Sequence, residues 1–149
     1  LLTEPQPIFN ATIIAALPGP AAAGLRSDHV LPITADSFAA FTSNHSAYFT
    51  NDTTRVFTAE QLIALQDTTF GNMSALGIYG LNASIISNIT LDQMQHLTVN
   101  QINAMTCDQL SSLTGTQLEK LGFSEGRAYR NVRRVALDPI RKLTKIILF

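Results

Sequence analysis

Apolar residues return at every eighth position along most of this chain. Phe9, Leu17, Leu25, Ile33, Phe41, Phe49, Phe57, Leu65, Met73, Leu81, Ile89, Leu97, Met105, Leu113 and Leu121 share one phase without exception. At 46% hydrophobic content, chance gives such a run roughly one time in a hundred thousand. Counting those residues as position 8, position 1 falls on Thr34, Thr42, Thr50, Thr58, Gln66, Ser74, Asn82, Thr90, Thr98, Thr106 and Thr114. The pattern is clearest over 90–121, with Thr at 1, Gln at 4 and apolar residues at 5 and 8. Position 5 is softer, because Ser46 and Thr54 break its apolar rule.

Thr-x-x-Gln is a capping box. The Thr hydroxyl accepts from the backbone amide three residues on, and the Gln side chain reaches back to the cap. Each octad therefore starts a new helix. One continuous helix fits poorly, since eight residues at ~100° overshoot two turns by ~80°. Strands fit poorly too, because Gln, Asn, Asp and Ala sit badly in them. Positions 5 and 8 are three apart and face the same way, inward. Helices this short survive only by stacking on neighbours. The predicted fold is mainly α: a solenoid-like superhelix of very short helices, flanked by extended N- and C-terminal segments.

The predicted organisation has three parts. Residues 1–33 read as an extended Pro/Gly-rich segment, 34–121 as the octad domain, and 122–149 as a basic helix with an apolar tail. Breaks are expected at 18–33, which hold Pro18, Gly19, Pro20, Gly24 and Pro32, and at 66–80, which hold Gly71, Gly77 and Gly80. Beyond Gly122, a longer helix is expected over 125–137, ended by Asp138-Pro139. Residues 142–149 read as a short strand or an apolar docking tail.

Composition narrows the class. Charged residues are only 14% of 149, against ~25% in ordinary domains. Ser, Thr, Asn and Gln supply 43 residues and must wet the surface instead. Mean hydropathy of +0.15 argues against disorder. No apolar run approaches the ~18 residues of a membrane span. The chain starts at Leu1 with neither Met nor a signal peptide, which reads as a processed form or a fragment. A single cysteine, Cys107, excludes an internal disulfide framework; it reads as buried and inert, or as paired between chains.

Runs such as Thr106-Cys107-Asp108-Gln109-Leu110-Ser111-Ser112-Leu113, closing in Leu121-Gly122-Phe123-Ser124 and a longer helix, resemble the superhelical repeats of the mesothelin, stereocilin and otoancorin group. The resemblance covers about 90–135. It implies an extracellular or cell-surface, glycosylated, non-enzymatic protein used in adhesion or matrix. Members of that group tend to carry paired cysteines, and this chain departs from them there.

Asn-x-Ser/Thr occurs six times, at Asn10, Asn44, Asn51, Asn72, Asn82 and Asn88. Composition alone accounts for about 1.6 such triplets among nine Asn, so N-linked glycans are an expected partner. Two of the triplets, those ending in Ser74 and Thr90, are also by-products of the repeat.

The net charge of −1 conceals a division. Residues 1–119 carry two basic against nine acidic side chains, a net −7. Residues 120–149 carry eight against two, a net +6. A basic tail meeting the acidic body of another copy would set register and speed encounter. Such a contact does not have to close, and then it builds a filament. The candidate interface comprises Arg127, Arg130, Arg133, Arg134, Ile146, Ile147, Leu148 and Phe149. Packing of the tail on its own body is an equal reading. Nucleic acid is the poorest partner, because few aromatics accompany the basic residues.

No catalytic motif is present. His29, His45 and His96 share no metal-ligand spacing with Cys or carboxylates, and no cofactor is expected. Asp92 and Asp108 at position 3 suit a helix N-terminus. Two functions are expected from different classes. One is an extracellular glycosylated structural subunit that joins head to tail. The other is a monomeric adhesion ectodomain binding a protein or glycan.

Overall fold

The computed structural model describes residues 9–120. They form fourteen short helical elements in single file, and every one starts in the same octad phase. In order these are α1 (Ala11–Ala16), η1 (Gly19–Gly24), α2 (Ser27–Val30), α3 (Ala35–Phe38), α4 (Ser43–Ser46), α5 (Asn51–Thr54) and α6 (Ala59–Ala64). There follow α7 (Asp67–Gly71), α8 (Ala75–Gly80), η2 (Ala83–Asn88), α9 (Leu91–Gln95), α10 (Val99–Ala104), α11 (Cys107–Ser111) and α12 (Gly115–Lys120). The two η elements are 3-10 helices. No strand occurs among the described residues.

The repeat begins earlier and runs more evenly than its sequence signature. Residues 11–30 hold α1, η1 and α2, where an extended segment was expected. Residues 67–80 hold α7 and α8, where a loop or bend was expected. Helix-breaking residues act on helix interiors, and a one-turn helix has almost none. Pro18 is the cap of η1 and Pro20 lies in its first turn, where an amide has no helical partner anyway. Pro32 follows α2 rather than interrupting it. The expected segments over 1–8 and the helix, strand or tail beyond 120 lie outside the described residues.

The principal stacking is third-neighbour. The packed pairs fall into three columns: α1, α3, α6, η2, α11; then η1, α4, α7, α9, α12; then α2, α5, α8, α10. Each element rests on the one three octads, or 24 residues, before it. Each corner between columns turns on an extended cap residue, such as Thr34 (φ −71°, ψ 156°) or Thr90 (φ −70°, ψ 158°), and several, such as Leu65-Gln66, hold a second extended residue before it.

Positions 5 and 8 build the core down the axis. Position 5 is the deeper: it is buried in all fourteen octads, from Ile14 to Leu118. Position 8 is buried from Leu25 to Leu113. Ser46 and Thr54 are as buried as the rest. Phe41, Phe49 and Phe57 occupy position 8 around them. With Phe38 these rings form an edge-to-face chain at centroid distances of 4.8–5.8 Å. The hydroxyls are satisfied: Thr54 donates to the Gly77 carbonyl at 2.7 Å and Ser46 to the Ser43 carbonyl at 3.3 Å. Two glycines allow columns to close. A Cβ on Gly71 would sit 2.5 Å from the His96 Cβ, and one on Gly80 would strike Thr54 Oγ1 and the Asn51 backbone.

Candidate functional site

The most organised polar feature is a ladder at position 4. In the five full Thr-x-x-Gln octads, the Gln Oε1 accepts from the amide of its own cap residue at 2.7–3.0 Å. The Thr hydroxyl accepts in return from the Gln amide at 3.0–3.2 Å. The expected capping boxes are therefore formed. The same Gln has a second role. Its Nε2 donates to the carbonyl 28 residues earlier, which is the corner just before the helix beneath. These bonds are Gln61 to Ile33, Gln93 to Leu65, Gln101 to Met73, Gln109 to Leu81 and Gln117 to Ile89, at 2.7–2.9 Å. Most reach the position-5 carbonyl as well, as in Gln93 to Leu62 at 2.8 Å. Helix ends leave amides and carbonyls without partners. One buried amide side chain here serves the start of one helix and the end of another.

Other side chains make the same rung. Thr53 donates to Leu25 at 2.8 Å, Thr69 to Phe41 at 3.2 Å, and His45 Nε2 bonds Leu17 at 2.8 Å. Where position 4 is Gly77, the cap Ser74 donates to Phe49 instead. Where it is Ile85, no side chain among the described residues reaches the Phe57 carbonyl. Local capping was legible in the sequence; the rung was not. Its only sequence signal is that position 4 is rich in side chains able to donate.

All six sequon asparagines are exposed. They are distributed over the three columns: Asn10, Asn82 and Asn88 on the first, Asn44 and Asn72 on the second, Asn51 on the third. Asn10 and Asn82 use Oδ1 to cap Ile13 and Ser84 amides, each at 2.9 Å, so the nitrogen that would carry a sugar is not the capping atom. Asn72 Nδ2 donates to the Ser43 carbonyl at 2.8 Å. The eight interface residues expected between Arg127 and Phe149 lie outside the described residues.

Charge is sparse and local. Arg55 pairs with Asp52 at 2.9 Å, and its Nε donates to Ser27 at 3.0 Å, linking α5 to α2. Arg26, 3.4 Å from Asp28, holds that exposed carboxyl below its usual range. The first column carries Asp36, Glu60 and Asp108 and no basic residue among its described elements. Two open surface hollows lie along α4, α7 and α9. One of about 270 Å³ is lined by Thr42, Ser43, Asn44, Gln66, Thr68 and Thr69; one of about 310 Å³ by Ser43, Thr68, Gly71, Asn72 and His96. Their walls are hydroxyls and amides with one imidazole. Among the described residues no three His, Cys, Asp or Glu side chains gather as a metal site. Cys107 is a half-buried free thiol.

The fold and its ladder define an α-solenoid of octad repeats. No protein-family model, curated protein or solved structure matches the chain. No helix among the described residues is long and apolar enough to cross a membrane.

Proposed function

We propose that the chain is an extracellular N-glycosylated structural protein whose copies join head to tail. The observation that carries this reading is the exposure of all six sequon asparagines on all three columns of a stacked rod. Glycans there would hydrate a surface that has few charges. The division of charge between an acidic body and a basic tail supports end-to-end contact over lateral contact. The resemblance over 90–135 to the mesothelin group supports the extracellular setting.

The test uses the chain expressed through a secretory pathway. A mass that falls on N-glycosidase treatment is expected; an unchanged mass refutes the glycan half. Negative-stain images at micromolar concentration should show linear assemblies, and single particles throughout refute the assembly half. Deleting 139–149 should abolish assembly while leaving the octad circular dichroism intact. The second reading, a monomeric adhesion ectodomain, is favoured by one feature. Leu76 and Tyr79 on α8 and Val99 on the adjoining α10 are large apolar side chains left about half exposed.

A further inference from the structure

The sequons do not share one octad position, and the position decides what surrounds each triplet. Asn10-Ala11-Thr12 and Asn82-Ala83-Ser84 occupy positions 1–3 and include no buried residue. Among the described residues, neither triplet makes a hydrogen bond to another turn of the superhelix. The other four triplets run into the core. Asn44-His45-Ser46 spans positions 3–5, and both residues after the Asn are buried. Asn51-Asp52-Thr53 ends at position 4, where buried Thr53 donates to the Leu25 carbonyl at 2.8 Å. Asn72-Met73-Ser74 and Asn88-Ile89-Thr90 straddle position 8. Met73 and Ile89 are buried, and their carbonyls accept from Gln101 at 2.7 Å and Gln117 at 2.9 Å. Ser74 also donates to the Phe49 carbonyl, and Asn72 Nδ2 to that of Ser43.

We infer that only Asn10 and Asn82 accept a glycan once the chain has folded, and that the other four accept one only before the octads stack. This rests on the glycosylated reading above. Transfer forms a bond from Asn Nδ2 to the anomeric carbon of a lipid-pyrophosphate-linked oligosaccharide. The bond from that carbon to the pyrophosphate oxygen breaks, the lipid pyrophosphate leaves, and Nδ2 gives up a proton to solvent. The transferase reads the Asn together with the hydroxyl two residues on, so the triplet must leave its helix to be read. At Asn10 and Asn82 this releases an exposed side-chain cap, to the Ile13 or the Ser84 amide. At the other four it draws a buried residue out of the core, and at three of them it also breaks bonds between turns. Local openings differ in free energy according to what they break. Asn10 and Asn82 both cap helices of the first column, so glycan added after folding lies on one side of the rod.

The full chain, made without glycans and folded, is given purified oligosaccharyltransferase and its lipid-linked donor. Short peptides spanning each sequon, which have no fold to open, are treated alongside. Occupancy is read by mass spectrometry of proteolytic fragments. In the folded chain Asn10 and Asn82 should react within about threefold of their peptides, and the other four at least about tenfold more slowly than theirs. Modification of folded Asn44 or Asn51 at the peptide rate overturns the inference, as does closure of Asn10 and Asn82. Peptides that all fail as acceptors refute the glycosylated reading as well. A transplanted site gives a second measurement. Thr98→Asn with Asn100→Thr places a sequon at positions 1–3, where all three residues are exposed. It should be modified in the folded chain, and its closure there overturns the inference.

Discussion

Gln93→Ala probes the ladder where it is driest. Gln93 is 0% exposed. Its side chain takes part in three hydrogen bonds across two helices: from the Thr90 amide at 3.0 Å, and to the Leu62 and Leu65 carbonyls at 2.8 and 2.9 Å. A typical net contribution of ~1 kcal/mol per bond gives about 3 kcal/mol, and stranding the buried partners raises the loss toward about 5 kcal/mol. That is a large share of the ~5–15 kcal/mol that holds a domain together. Gln95→Ala is the internal control, because Gln95 is exposed on the same α9; it should cost under about 0.5 kcal/mol. Gln93→Glu refines the test. It sets a carboxylate oxygen against two carbonyls, so at pH 7.5 it should be worse than Ala. The folded state would hold a proton that the unfolded chain releases, so relative to the unmodified chain its stability should recover toward pH 5. Urea unfolding followed by circular dichroism at both pH values measures all three. If Gln93→Ala shifts the midpoint no more than Gln95→Ala, the rung between successive turns of the superhelix does not stabilise the fold.

Other positions give further checks. Gly80→Ala should cost about 2 kcal/mol, because its Cβ meets Thr54 and the Asn51 backbone, whereas Gly24→Ala, with nothing within 4 Å, should gain about 0.5 kcal/mol; thermal melts distinguish them. Thr53→Val keeps the shape but removes the donor to the Leu25 carbonyl, and should cost about 1–2 kcal/mol by chemical denaturation. Phe38→Ala removes a fully buried ring from the edge-to-face chain and should cost about 3–5 kcal/mol, read as a lower melting temperature.

The parts of this fold that depend on neighbours within one octad could be read directly. Thr90 and Gln93 stand three apart because a cap requires it, and Met94 and Leu97 share a face because a turn requires it. The 28-residue reach from Gln93 to Leu65 could not be read this way. It is set by how many octads complete a superhelical turn, and the local spacing does not contain that number. The expected breaks at 18–33 and 66–80 failed because rules made for long helices penalise Gly and Pro in interiors that these elements lack. Gly71 and Gly80 look like punctuation in the sequence, yet they act as clearances between helices stacked in one column. The sequons were legible as a motif, and their exposure follows from their falling at positions 1, 2, 3 and 7, outside the core. Ser46 and Thr54 break the apolar rule in the sequence, yet both are buried at position 5 with their hydroxyls bonded to backbone carbonyls.

Third-neighbour stacking also restricts how such a chain can change length. Loss or gain of one octad leaves every core residue pointing inward, so the altered protein would still fold. It would, however, transfer everything downstream to the next column, moving Asn72, Asn82 and Asn88 onto different sides of the rod. Twenty-four residues is the smallest indel that preserves both the inside and the orientation of the outside. A lineage of such proteins should therefore vary in length by threes of octads wherever its surface is under selection, and by single octads where only folding is.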